Sequence, residues 1–203
     1  MQACADDPAP AGRLGSPPRR SRICLVGETG SGKSTTAAVL TESLAAAGHR
    51  SQVIGLAALL HDLQNRLYHE IAEPKPSDQQ DQQLMLDLAR HIRRIRPTAL
   101  VERFEQSLAA VPAGTVVINA DLRDHVVDAP RLRELGFYFI RVRCDRSVRH
   151  QRLRARNDLS IVDDEQVFQL DNIGWDVEFD NNRDGIEHVR EFCAELLTGV
   201  LCC

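Results

Sequence analysis

Nine residues, GETGSGKST from Gly27 to Thr35, constrain this chain more than any others. They fill the pattern G-x-x-x-x-G-K-[ST], with Gly27, Gly32, Lys33 and Ser34 at the fixed places. Glycines let a backbone curl until successive N–H groups point inward at phosphate oxygens. The helix that follows turns its positive end to the same anion. In such a loop Glu28, Thr29, Gly30, Ser31 and Thr35 surround the donor phosphates together with the fixed residues. Lys33 reaches the outer phosphates, and the Ser34 hydroxyl binds a magnesium ion. The bland alternative is a glycine–serine turn that matches by accident. The flanks decide against it: RICLV before the loop reads as a short buried strand, and KSTTAAVLTESLAAAGH reads as a helix ending near Gly48. A phosphoryl group held there goes either to water or to a second substrate.

At 203 residues the chain is long enough for one domain with a full core. Its net charge of −4 argues against a general nucleic-acid binder, which would carry a basic surface. Lys33 and Lys75 are the only lysines, so the basic residues are nearly all arginine, and a single arginine carries less weight as a functional signal. Cys4, Cys24, Cys144, Cys193, Cys202 and Cys203 show neither paired metal-ligand spacing nor a disulfide framework. No apolar run is long enough to span a membrane and no leader pattern opens the chain, so the expectation is a cytoplasmic protein with no membrane partner. Monomer and homodimer both stay open.

Residues 1–20 are rich in proline, glycine and charge, and read as a disordered tail ahead of a single domain over 21–203. From there strands and helices alternate. RICLV, SQVIGL, TVVINA, FYFIRVRC and WDVEFDN read as strands. Between the second and third lies a long helical insertion, about 57–112, broken at EPKPSD and again at Pro97. Within it Leu84, Leu88, Ile92 and Ile95 recur at helical spacing, which places Arg90, Arg93 and Arg94 on the opposite face. The alternation predicts an α/β fold: a five-stranded parallel sheet covered by helices, with ligands beyond the carboxyl ends of the strands.

Neither an Asn-Lys-x-Asp guanine motif nor an L-S-G-G-Q signature is present. What is present is the insertion and an arginine-dense helix after the fourth strand. A phosphoryl-transfer enzyme uses both, one as an acceptor pocket and the other as mobile positive charge over the group in flight.

The stretch VVINADLRD resembles the third-strand end of the nucleoside monophosphate kinase superfamily. Its Asp121-Leu122-Arg123 form is closest to phage-type deoxynucleoside monophosphate kinases and animal-type phosphomevalonate kinases. DDEQVFQLDNIGWDVEFDNNRD and RHIRRIRPTALVERF resemble the same subgroup, so the similarity spans about Ile23 to Asp184. It implies a P-loop kinase fold with a helical substrate-binding insertion and a short lid, about 157–172. One departure stands out. These kinases often carry a basic residue after strand two, where this chain reads LLHDLQNRLYHE with Asp62, Gln64 and Asn65.

Asp121 ends an apolar strand at the pocket mouth, where it would orient magnesium through water or take a proton from an acceptor hydroxyl. The alternative is a carboxylate capping the turn before HVVDAP. Arg123, two residues on, would hold the acceptor; otherwise it is a surface arginine. Arg149, Arg152 and Arg156 share one helix face and would neutralise the transferring phosphoryl group, unless that face is simply solvated. The resemblance favours Arg152 and Arg156, since the family's lid-proximal arginines lie in that region. One of Arg90, Arg93 and Arg94 would grip an acceptor phosphate, with an exposed face as the equal alternative. Asp62 is a candidate for acceptor hydroxyls, and Asn181 for the nucleotide base.

The expectation is a magnesium-dependent kinase that moves the γ-phosphoryl of ATP to a nucleotide-like or otherwise phosphorylated metabolite. A kinase of a nucleoside or sugar hydroxyl is the alternative. A P-loop NTPase switch that binds a protein partner is the reading from another class.

Overall fold

A computed structural model describes residues 20–73, 75, 79–155, 160 and 169–201. Residues 1–19 of the expected tail and most of the expected lid therefore lie outside the described residues, as does Arg156.

Strand β1 (Arg22–Val26) enters the loop, and helix α1 (Lys33–Ala46) leaves it. β2 (Arg50–Val53) leads into an insertion of three helices, α2 (Ala58–Glu70), α3 (Gln82–Ile95) and α4 (Ala99–Ala109). β3 (Thr115–Asn119), α5 (Asp128–Glu134), β4 (Tyr138–Arg143), α6 (Arg146–Ala155), β5 (Val177–Asp180) and α7 (Glu187–Leu196) follow. A π-helical turn over Leu197–Leu201 continues α7. All strand pairs are parallel, in the order β2-β3-β1-β4-β5.

The apolar strands RICLV and TVVIN sit at the centre because both of their faces are covered. Ile23, Leu25, Val116, Ile118, Ile140 and Val142 point to one side and pack against Leu40 and Leu44 of α1 and Val189 and Cys193 of α7. Cys24, Val26, Val117 and Phe139 point to the other, against Val101 and Phe104 of α4 and Leu132 of α5. The strand order reverses at β1, between β3 and β4. That puts the glycine loop, the end of β3 and the end of β4 at one crevice.

The insertion carries its own small core, in which Leu60 and Leu100 meet Ala89 with Met85, Leu88 and Ile92 against them. Its central helix is rotated from the sequence expectation. The buried positions of α3 are Leu86 and Ala89, and Ile95 is 75% exposed. Arg93 continues the Leu86–Ala89 line at spacings of three and four, so it lies on the packed face. Arg90 and Arg94 are exposed. The reason is that α3 packs against α2 on one side and α4 on the other, and a two-sided contact turns the helix away from the single leucine stripe.

Candidate active site

The glycine loop closes on its own lysine. Lys33, buried at the first position of α1, donates from Nζ to the carbonyls of Gly27 (2.7 Å) and Glu28 (2.8 Å). The ammonium thus lies in the curve of the loop, where a phosphate oxygen would meet it. Gly30 (φ 83°) and Gly32 (φ 98°) are left-handed, the region that costs an L-residue about 1–2 kcal/mol. A Cβ on Gly32 would fall 2.1 Å from Asn181 Nδ2, and one on Gly30 would fall 3.0 Å from the Arg149 carbonyl. Gly32→Ala should therefore displace the loop and weaken ATP binding by about ten- to a hundredfold, with little change in melting temperature. Titration of the variant with an ATP analogue measures this, and wild-type affinity would show that the loop tolerates the side chain.

Support for the loop comes from below. Asn181, just after β5, is 3% exposed; its Nδ2 donates to the Ser31 carbonyl at 2.7 Å. Its Oδ1 lies 2.7 Å from His188 Nε2 at the start of α7. A carboxamide oxygen only accepts, so His188 must donate from Nε2, which fixes its tautomer. Asn181 is expected from sequence to face the nucleotide base; its amide oxygen and one of its two N–H groups are instead spent inside the protein. Burial, then the nearby Arg183 and Arg152 guanidiniums, hold the His188 imidazole below its ordinary range. The folded protein thus favours neutral His188. The stability this contributes is present above about pH 6.5 and is lost as pH falls through the lower folded value. The wild-type melting temperature should fall as pH drops below about 6.5, and His188→Gln should flatten that fall, as read by thermal denaturation. His188→Ala should raise the ATP KM several-fold through Asn181.

The arginines sort to the donor side. Arg149, 3% exposed, points Nη1 at the Thr29 carbonyl at 3.4 Å. Arg152 contacts Cys144 Sγ (3.5 Å) and the Arg183 carbonyl (3.3 Å), and its Nη1 lies 3.7 Å from where a Cβ on Gly32 would sit. Arg149 is thus packed against the donor loop beside Arg152. Arg123 bridges the two sides. It donates to the Gly27 carbonyl (2.9 Å) and Thr29 Oγ1 (3.0 Å) while it lines the cleft next to the loop.

That cleft, of about 200 Å³, separates the glycine loop from the insertion. Lys33, Ser34, Asp121 and Arg123 form its polar side, and Leu56, Leu60, Met85, Leu86, Ala89 and Leu100 its apolar side. Arg93 and Asp128 also line it. Asp121 is a fastener as well as a lining group. Its Oδ1 accepts from Leu56 N (2.9 Å) and Asn119 Nδ2 (2.7 Å), and its Oδ2 accepts from Ala57 N (2.9 Å). The carboxylate therefore ties the end of β3 to the turn after β2, rather than capping the turn that follows it. A carboxylate oxygen has two lone pairs, so this bond leaves one on Oδ2.

Of the acceptor-side candidates, Arg93 reaches the cleft. Arg90 is paired with Asp87 at 3.5 Å in solvent, and Asp62 is exposed on the outer face of α2, so neither lines it. The adjacent His61 does. Sequence reasoning passed over His61, Asn119, Asp128 and His188. Asp124 and Asp128 do stand four apart after DLR, the first in the turn before α5 and the second at its start, but nothing in the sequence ties them to Arg93.

The donor set suits a magnesium nucleotide. The left-handed glycines hold the loop in a curl that Asn181 and Arg149 pack against, and Lys33 is buried with its charge at the loop. Ser34 lines the cleft and would ligate magnesium, which elsewhere keeps water and phosphate oxygens as ligands; when bound, the ion would neutralise phosphate charge. Thr35 is exposed on α1 and does not line the cleft.

Residues 23–167 match the AAA domain family. The chain belongs to this family. No curated protein matches the chain. Among solved structures, this AAA-domain protein is similar to shikimate kinase from Acinetobacter baumannii, at 14% identity and a TM-score of 0.50, over 89% of this chain and 92% of that one. A gluconokinase from Sinorhizobium meliloti 1021 is similar at 23% identity and a TM-score of 0.49, over 88% and 93%. The five-stranded parallel sheet with flanking helices is the α/β fold of P-loop kinases.

Proposed function

We propose that this AAA-domain protein is an ATP-dependent phosphotransferase that passes the γ-phosphoryl group to a small molecule held in the cleft. One observation carries this: the cleft beside Lys33 and Ser34 is walled by a three-helix insertion with an apolar face, and a hydrolase or a switch has no need of such a wall. The acceptor we infer is a nucleotide-like or otherwise phosphorylated metabolite. Arg93 and Arg123 offer guanidiniums on its side, and the DLR stretch and the insertion resemble kinases of such substrates. Arg149 and Arg152, against the loop, stabilise the charge in flight. That a shikimate kinase uses the same fold supports a frame able to carry kinase chemistry.

A hydroxyl acceptor is the second reading, and Asp121 favours it: a carboxylate that lines the cleft and has a lone pair left on Oδ2 is placed to take a proton. Incubation with labelled ATP, magnesium and a panel of phosphorylated metabolites, nucleosides and sugars tests both. A labelled small-molecule product supports the kinase. Label released only as inorganic phosphate, at a rate no metabolite changes, supports the switch.

A further inference from the structure

The contact between Arg93 and Asp128 uses only half of what the two groups offer. Asp128 opens α5 and is 1% exposed. Its Oδ2 takes Arg93 Nη2 at 2.6 Å. An arginine and a carboxylate commonly meet through two parallel hydrogen bonds. Here the second does not form: among the described residues, Asp128 Oδ1 and Arg93 Nε are both buried with no hydrogen-bond partner. Asp124 Oδ2 stands 3.9 Å from Nε, too far for a hydrogen bond, and Asp124 Oδ1 is taken by the N–H groups of Val127 and Asp128. Such orphaned buried atoms destabilise a fold unless something completes them. Both side chains line the cleft, and the neighbouring lining residues Met85, Leu86 and Ala89 are apolar.

We propose that Arg93 and Asp128 read the body of the acceptor, with Arg93 Nε–H donating to a carbonyl oxygen and Asp128 Oδ1 accepting from the N–H beside it. The chemical class is a flat, weakly polar group with an N–H next to a C=O, the edge of a lactam or an imide. The apolar wall covers its faces. Acceptor specificity is then set by the α3–α5 contact, away from the glycine loop. Burial pushes the Asp128 carboxyl up and Arg93 pulls it back, so the ionised form depends on the guanidinium that shares the site. That the bound group is the phosphoryl acceptor rests on the kinase reading; its recognition by this pair does not.

The test is isothermal titration of the full chain with nucleoside 5′-monophosphates carrying uracil, thymine, guanine or hypoxanthine. Each is paired with its counterpart methylated on the ring N–H, and ribose 5-phosphate is the reference. At least one lactam-bearing probe should bind, and its N-methyl counterpart should bind at least about tenfold more weakly. Asp128→Asn should keep its oxygen on Arg93 and present an NH2 where Oδ1 was. It should lose at least about tenfold for that probe, close the gap to the methylated one, and leave the affinity for an ATP analogue unchanged. A purely structural Asp128 would change the melting temperature and not this selectivity. The proposal falls if no lactam-bearing probe binds, if methylation makes no difference, or if Asp128→Asn binds the probe as wild type does. If the protein phosphorylates an acceptor that lacks such an edge, and Asp128→Asn does so equally well, the kinase reading stands and this inference falls. Binding of the probe that depends on Asp128, without transfer from labelled ATP to any acceptor, would have the reverse meaning.

Discussion

Replacing Lys33 by alanine should leave a folded protein that no longer turns ATP over. The ammonium lies in the curve of the loop on the carbonyls of Gly27 and Glu28. Its loss removes the one lysine of the described core from the place where charge accumulates during transfer. Removing one preorganised donor of that kind costs about 10²–10³ in kcat, and a full charge costs at least as much. The fold survives because Lys33 serves the loop and not the sheet. Two carbonyls lose a donor, but that of Gly27 keeps the Arg123 guanidinium, so the stability loss is about 1–3 kcal/mol at most. Turnover with labelled ATP and a thermal melt measure the two effects. Wild-type turnover would remove the kinase reading, and collapse of the fold would show that Lys33 is structural.

The sheet was legible because its strands are short apolar runs bounded by turns, and a parallel sheet buried on both faces needs nothing subtler. The loop was legible because its chemistry sits in consecutive residues. The acceptor side was harder, since its geometry is made by contacts between distant segments. The leucine period of α3 gave the helix, but its rotation depends on α2 and α4, and so it is Arg93 that meets the cleft while Arg90 stays in solvent. Asp62 and His61 are neighbours in sequence on opposite sides of the cleft wall, and one residue of phase decides which is inside. Asn181 was picked out for its place after the last strand. Its partners Ser31 and His188 lie 150 and 7 residues away, and only the fold brings the first of these under it.

Asp121→Asn should be among the most damaging single changes at the acceptor side, and how it damages the protein identifies the acceptor. The substitution keeps size but not hydrogen bonding. Asp121 receives three N–H donors, two on Oδ1 and one on Oδ2. An asparagine turned either way sets its own NH2 against a backbone N–H of Leu56 or Ala57. That costs about 1–3 kcal/mol and loosens the turn after β2, which forms part of the cleft. A lowered melting temperature and a raised acceptor KM follow whatever the acceptor is. The kcat separates the cases. If Asp121 takes a proton from an acceptor hydroxyl, kcat falls by a further 10²–10⁴, roughly, and a solvent deuterium isotope effect present in the wild type disappears. If the acceptor is a phosphate, it is already a nucleophile and no proton has to leave, so kcat at saturating acceptor stays near wild type. Arg123→Ala is the companion: its contacts to Gly27 and Thr29 make it raise the ATP KM together with that of the acceptor. Placement of Asp121 at the acceptor side is refuted if the asparagine variant melts and turns over like the wild type, because a carboxylate holding three donors at the cleft cannot be silent in both.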